Sequence, residues 1–291
     1  MGIKSVAIVG MGALGLMYGE HIQNREGVGS VSFLLDSGRM ERYRDASFSV
    51  NGKKIVFPMV DGVKADPVDL VIVATKYNGL RSAMEVMKRA VGEHTVIISV
   101  LNGISSEKIL AEKFNENHII PCVALGMDAM RDGYDLNFCN KGRLCIGITK
   151  EEQKPALEAL ITYFEKIQMP YSKEADIMHA MWGKFLLNVG INQTCMVYDT
   201  TYAGALSQPD ARKDMFEAMR EVMMIGSSSF NSLGSVSRSS RKSLEIVFPS
   251  GSRYKTTTRG TPSCRSSFTF LKKASSAAKS RLQKTFPLEH K

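Results

Sequence analysis

The chain has 291 residues, 44% of them hydrophobic, enough for one large or two ordinary domains. Its formal charge is +9, yet residues 226–291 hold 13 Lys/Arg against two Glu, so residues 1–225 are nearly balanced at net −2. No run of 18 uninterrupted apolar residues argues for a spanning helix, and the five scattered cysteines and five histidines lack CxxC, HxxxH or HExxH spacing, so no membrane segment, disulfide scaffold or metal is expected and the setting reads as reducing and cytoplasmic.

The start, "MGIKSVAIVGMGALGLMYG", has the outline of a signal peptide but no convincing small-residue cleavage site. Its glycines have a better explanation. "SVAIVG" (5–10) is a short β-branched run that reads as a buried strand, followed by a helix over about 13–24. "SVSFLL" (30–35), "VDLVIVATK" (68–76) and "TVIISVLNG" (95–103) read as further strands, with a helical pattern in "GLRSAMEVMKRAV" between the last two. A helix over 104–114 and a strand "IIPCVAL" (119–125) follow. Strands alternating with helices predict a doubly wound parallel sheet. "DLNFCNKGRLCIGI" (135–148) reads as a hairpin about an Asn-Lys-Gly turn, 151–168 as an amphipathic helix, and 169–172 as a link. Long helices are expected over about 175–197 and over 208–226, the second with Pro209 in its first turn. From residue 226 the chain is serine-rich and basic with little periodicity, read either as a disordered tail or as out-of-frame sequence. The resulting division is 1–170, a dinucleotide-binding domain; 171–226, a helical substrate and catalytic domain; and 227–291, an atypical tail.

"IVGMGALG" places Gly10, Gly12 and Gly15 as G-x-G-x-x-G between a strand and a helix. The first glycine permits the tight turn, the second lets backbone approach a pyrophosphate, and the third lets helix and strand pack closely. The stretch Gly10, Met11, Gly12, Ala13, Leu14 and Gly15 is therefore the expected cofactor loop. Asp36 ends the second strand, where an acidic side chain accepts from a ribose 2′-OH and favours NAD; Arg39, Arg42 and Arg44 nearby offer partners for a 2′-phosphate. The choice between NADP and NAD stays open on these residues.

"VATKYN" with Lys76, "VLNGI" with Asn102, and "WGKFLLNVGIN" with Lys184, Asn188 and Asn192 follow the glycine motif in order. Together they resemble the ketopantoate reductases (2-dehydropantoate 2-reductases) over about residues 3–225. The resemblance implies a Rossmann domain followed by a helical domain, and reduction of 2-dehydropantoate to (R)-pantoate by NADPH on the route to pantothenate. It implies that Lys184 protonates the developing alkoxide and that Asn188 and Asn192 hydrogen-bond the substrate. Asn102 would contact both nicotinamide and substrate, and Lys76 the cofactor. The chemistry suits the residues: reducing a 2-keto acid needs a proton on the new alkoxide, and an ammonium in a partly apolar cleft can supply it. Positions i, i+4 and i+8 share a helix face.

Two family features find no match: a serine in a Ser-Met-x-Gln-Asp segment and a glutamate in a Thr-Glu pair. Glu245 and Glu289 are the tail's only carboxylates, and Ser243, Ser250 and Ser252 cannot be aligned with the serine. Codon degeneracy lets Tyr254-Lys255-Thr256, read one base earlier, encode Val-Gln-Asp, and Ser263-Cys264 encode Glu-Leu, which is the ground for the out-of-frame expectation and for an expectation of impaired turnover. A different 2-hydroxyacid dehydrogenase and a non-catalytic nucleotide-binding relative are the alternatives. Expected partners are a small 2-keto acid and, as an open assembly state, a second copy; no specific nucleic-acid motif accompanies the basic tail.

Overall fold

The computed structural model describes residues 2–232, 244–247 and 253–256. The chain divides into two compact units, Met1–Met181 and Trp182–Lys291. The expected tail, 227–291, lies mostly outside the described residues, which there comprise the end of a helix and two paired strands, Leu244–Val247 and Arg253–Thr256.

The first unit is built on a six-stranded parallel sheet. Its strands are β1 (Val6–Val9), β2 (Val31–Leu35), β5 (Met59–Asp61), β6 (Val68–Val73), β7 (Val91–Ser99) and β8 (Ile119–Ile120). They lie in the order β5-β2-β1-β6-β7-β8, every neighbouring pair parallel. Counted along the sheet's own strands this is 3-2-1-4-5-6, the Rossmann order, with its topological switch between β1 and β6. The strands are apolar on both sides over most of β1, β2, β6 and the second half of β7, because helices cover both faces. One face buries Ile8, Phe33, Leu70 and Ile98 beneath α1 (Ala13–Glu26); the other buries Ala7, Val71 and Ile97 beneath α3 (Leu80–Val86) and α4 (Ser106–Ala111). Phe33 meets Phe57 edge-to-face at 4.9 Å.

α1 is pinned along its length. His21 is buried and its Nε2 lies 3.0 Å from the Ile167 carbonyl, while its Nδ1 lies 3.3 Å from Lys141 Nζ. Burial, then the Lys141 charge, lowers the His21 pKa, so the ring is neutral and donates from Nε2. Lys141 also pairs with Glu20 at 3.0 Å.

Two smaller sheets depart from the sequence reading. A four-stranded sheet runs β10-β11-β3-β4, with β3 (Phe48–Val50), β4 (Lys53–Ile55), β10 (Met130–Asp132) and β11 (Asp135–Asn137). A three-stranded sheet runs β13-β12-β9, with β9 (Cys122–Met127), β12 (Lys141–Ile146) and β13 (Tyr171–Lys173). The hairpin expected over 135–148 does not form: β11 and β12 belong to different sheets. Asp128 explains this, because its Oδ1 accepts from both Cys139 and Asn140 N–H, at 2.9 and 2.8 Å, and so ties the turn to the end of β9. β12 then pairs antiparallel with β9, and Gly142 sits at φ +61, where an added Cβ would lie 2.1 Å from the Leu125 carbonyl. The strand expected over 119–125 is split by Pro121 into β8 and β9, which enter different sheets; proline has no N–H for a central ladder. The expected link at 169–172 contributes instead to β13, which pairs parallel with β12.

The helix expected over 151–168 is α5 (Lys154–Lys166), entered by a 3₁₀ turn at Glu151–Gln153. α6 (Ile177–Leu187) spans the unit boundary. The second unit continues through a π-helical turn, Asn188–Asn192, then α7 (Gln193–Val197), α8 (Tyr202–Ser207) and α9 (Pro209–Ser232). α9 thus runs six residues past Gly226, where the sequence reading ends its helix. Its core is Leu186, Ile191, Ala205, Met215, Met219 and Val222. Gly190 permits the close approach of α9, since a Cβ there would lie 2.4 Å from Met219 Cε.

Candidate active site

In the first unit, three groups of predicted site residues stand at the carboxyl ends of adjacent strands: the glycine loop after β1, Lys76 after β6 and Asn102 after β7. Ligands bind at this edge in such sheets. Gly10 has φ +110 and packs against β6: an added Cβ would lie 2.6 Å from the Ala74 carbonyl. Gly15 is tighter, with an added Cβ 1.9 Å from the Gly10 carbonyl. Gly12 differs from both, its added Cβ reaching no atom closer than the Ala74 carbonyl at 3.6 Å. Packing therefore demands glycine at 10 and 15, while the space at 12 is left for something else.

That space suits a dinucleotide. Gly12 is the N-cap of α1, no side chain caps the helix and no acidic residue occupies its first turn, so its first N–H groups are available to phosphate. Thr75, between Ala74 and Lys76, has a buried hydroxyl without a hydrogen-bond partner among the described residues. Gly103, at φ +109 beside Asn102, has open space around it. Lys76 and Asn102 are exposed.

Asp36 caps α2 (Ser37–Tyr43). Its Oδ1 accepts from the Arg39 N–H at 2.8 Å, and its Oδ2 pairs with Arg39 Nη1 at 2.6 Å. Both oxygens thus serve the helix start. Beyond α2 lies a groove of about 1050 Å³, lined by Met40, Tyr43, Phe48, Phe57, Lys54 and Lys64 among others; of the residues the sequence singles out it includes Arg44 and neither Asp36 nor the glycine loop.

Glu107 was not anticipated. It lies in the first turn of α4, four residues after Gly103. Its Oε2 accepts from the Ser106 hydroxyl at 3.0 Å, and Oε1 is buried without a partner among the described residues. Burial dominates and pushes the carboxyl up to about 7. The native state then holds a proton that the unfolded chain releases above about 4.5, so this group's contribution to stability is lost as pH rises through about 7. Glu107→Gln keeps the side chain neutral, and its melting temperature relative to the parent should rise from pH 5 to pH 8. A constant difference across that range would show that the carboxyl titrates normally.

In the second unit, Lys184 lies on α6 one turn before Asn188. The two asparagines bracket the π turn rather than an unbroken α-helix, and they touch: Asn192 Nδ2 donates to Asn188 Oδ1 at 3.1 Å. A π turn of this kind inside an α-helix is frequent at functional sites. Tyr202, ten residues on, donates its hydroxyl to Asn192 Oδ1. The chain returns there through Asp199 at φ +46, and Thr201 caps α8 by accepting from the Gly204 N–H. The order Tyr202, Asn192, Asn188 fixes both amides, leaving the Asn188 NH₂ to donate elsewhere. Tyr202 carries no helical spacing to Asn192, so nothing in the sequence pattern marks it.

The comparisons with known proteins agree with this architecture. Residues 6–150 match the family described as ketopantoate reductase PanE/ApbA, and residues 176–260 match its C-terminal part. The chain belongs to the ketopantoate reductase family. The second match reaches past residue 225, where the recognisable sequence motifs end. A 2-dehydropantoate 2-reductase of Streptococcus pyogenes is 21% identical over 227 residues, 76% of this chain and 73% of its own. The crystal structure of 2-dehydropantoate 2-reductase from Geobacter metallireducens GS-15 has a TM-score of 0.65 at 27% identity, covering 76% of this chain and 74% of that one. D-mandelate dehydrogenase, solved with NADH and anilino(oxo)acetate, shares the fold at a TM-score of 0.68 and 18% identity, covering 77% of this chain and 74% of that one.

Proposed function

We propose that the protein reduces 2-dehydropantoate to (R)-pantoate with a nicotinamide cofactor. The observation that carries this reading is the Lys184–Asn188–Asn192 run in a family member whose glycine loop has the dinucleotide geometry. The cofactor, when bound, supplies hydride to the keto carbon. Gly10 to Gly15 and the N-terminus of α1 hold its pyrophosphate, with Lys76 and Asn102 beside it. The Lys184 ammonium donates the proton to the new alkoxide oxygen, and the Asn188 amide, oriented through Asn192, holds the substrate's oxygens. NADPH follows from the family resemblance; Asp36 at the end of β2 supports NADH, as does the NADH bound by D-mandelate dehydrogenase. The dimeric ketopantoate reductase of Staphylococcus aureus makes a homodimer the assembly to test first.

The test is initial rates with a panel of 2-keto acids, with ketopantoate and phenylglyoxylate as the two poles, against NADPH and NADH. Ketopantoate should give the highest kcat/KM. A preference for an aryl keto acid would place the chain with the mandelate-type reductases, and cofactor binding without turnover of any keto acid would make it a non-catalytic relative.

Tyr202→Phe keeps the ring and removes only the hydroxyl that orients Asn192. Losing one net hydrogen bond in that chain should raise KM for the keto acid about three- to tenfold. Melting temperature and cofactor affinity should stay at parental values, and an unchanged KM would remove Tyr202 from the site.

A further inference from the structure

Arg131 is far from every predicted site residue in sequence, yet it reaches the cofactor loop. It sits in β10, whose hairpin with β11 turns through Gly133 at φ +54. Its Nη1 donates to the carbonyl of Met11, the residue between the first two glycines. Its Nε donates to the Gly133 carbonyl at 2.8 Å, and its guanidinium stands over the Phe48 ring, 5.7 Å from the centroid. Phe48 is itself packed edge-on against Tyr134 at 5.2 Å, so the hairpin is held where it is by an aromatic contact.

What the guanidinium lacks is an anion. It is half-buried and forms no ion pair among the described residues, where Asp36, Glu41, Glu112, Glu85, Glu20, Glu116 and Glu26 each have a cationic partner. Nε and Nη1 are engaged with backbone oxygens, and Nη2 has no acceptor among the described residues. A partly desolvated cation is costly without a counter-charge. A fork of N–H donors is also the side-chain geometry that matches phosphate oxygens. Here it is fastened to the loop whose uncapped helix start already favours negative charge.

We propose that Arg131 is a cofactor-phosphate residue: it holds the glycine loop through the Met11 carbonyl and presents its remaining N–H groups to the pyrophosphate of the bound dinucleotide. The inference rests on the dinucleotide reading of the glycine loop and is independent of the substrate. β10 and its turn then form a second side of the phosphate cradle, facing the loop from outside the parallel sheet.

The test is equilibrium binding of NADPH, NADH and ADP-ribose to the full chain and to its Arg131→Gln, Arg131→Lys and Gly12→Ala variants, at low and high salt. Arg131→Gln should weaken all three ligands by the same factor, about 10- to 100-fold for a charged hydrogen bond. It should also flatten the salt dependence of Kd, because one charge pair has gone. Arg131→Lys keeps the charge and should recover a large part of both effects. If Arg131 serves only to brace the loop, Lys will be no better than Gln and the salt dependence will match the parent, which overturns the proposal. Wild-type affinity in Arg131→Gln overturns it as well. A parent that binds none of the three ligands overturns the dinucleotide reading itself, whereas loss in Gly12→Ala with no loss in Arg131→Gln sinks the arginine alone.

Discussion

Lys184→Ala is expected to lower kcat for the preferred 2-keto acid by about 100- to 10,000-fold, the range that one positioned general acid contributes. Hydride delivery turns a neutral carbonyl oxygen into an alkoxide, and the Lys184 ammonium is the group proposed to meet it with a proton. Cofactor affinity should be unchanged, because the glycine loop and helix start that hold the pyrophosphate are intact in the variant. KM for the keto acid should change far less than kcat, since the proton is needed only in the transition state. Lys184→Arg should recover little, since a guanidinium keeps its proton throughout. A variant with parental kcat would remove Lys184 from the reaction.

Most of the parallel sheet could be read from the sequence because its central strands are apolar runs buried on both faces, whereas the edge strand Met59–Asp61, short and half-buried, carries no such run and is absent from the sequence reading. Val6–Val9, Val68–Val73 and the apolar half of Val91–Ser99 have no other stable environment. What escaped that reading depends on side chains that act at a distance. Asp128 draws the turn at Asn140 onto β9, so two runs that look like a hairpin enter different sheets. Asn51-Gly52 does carry a local signal: both residues have positive φ, 48° and 78°, in the two-residue turn that joins β3 to β4. That short hairpin could have been found from sequence. The site divides the same way. Gly10, Gly12 and Gly15 mark themselves by spacing, and Lys184, Asn188 and Asn192 by repeating every fourth residue among apolar neighbours. Arg131 and Tyr202 come to Met11 and Asn192 only through folding, across 120 and 10 residues, and no periodicity points to them. The π turn is likewise invisible in composition.

Gly15→Ala and Gly12→Ala should fail in opposite ways. At position 15 the new methyl would sit 1.9 Å from a backbone oxygen, that of Gly10, which cannot rotate away. Alanine gains up to about 1 kcal/mol over glycine inside a helix. Overpacking costs typically about 1–3 kcal/mol, and contact with backbone places this case at the upper end. The clash wins, so α1 must shift, and the melting temperature should fall by about 4–10 °C for a domain of this size. Binding of the dinucleotide should weaken with it, because the helix start carries the phosphate donors. At position 12 the methyl meets nothing nearer than 3.6 Å, an ordinary contact, and the fold should keep its parental melting temperature. The space it fills is the approach of the pyrophosphate to backbone, so cofactor affinity should drop by at least about tenfold. Thermal melts and cofactor titrations of the two variants side by side separate the roles. If both lose stability equally, Gly12 is a packing glycine like Gly15; if Gly12→Ala binds cofactor like the parent, the dinucleotide does not lie where the loop is open.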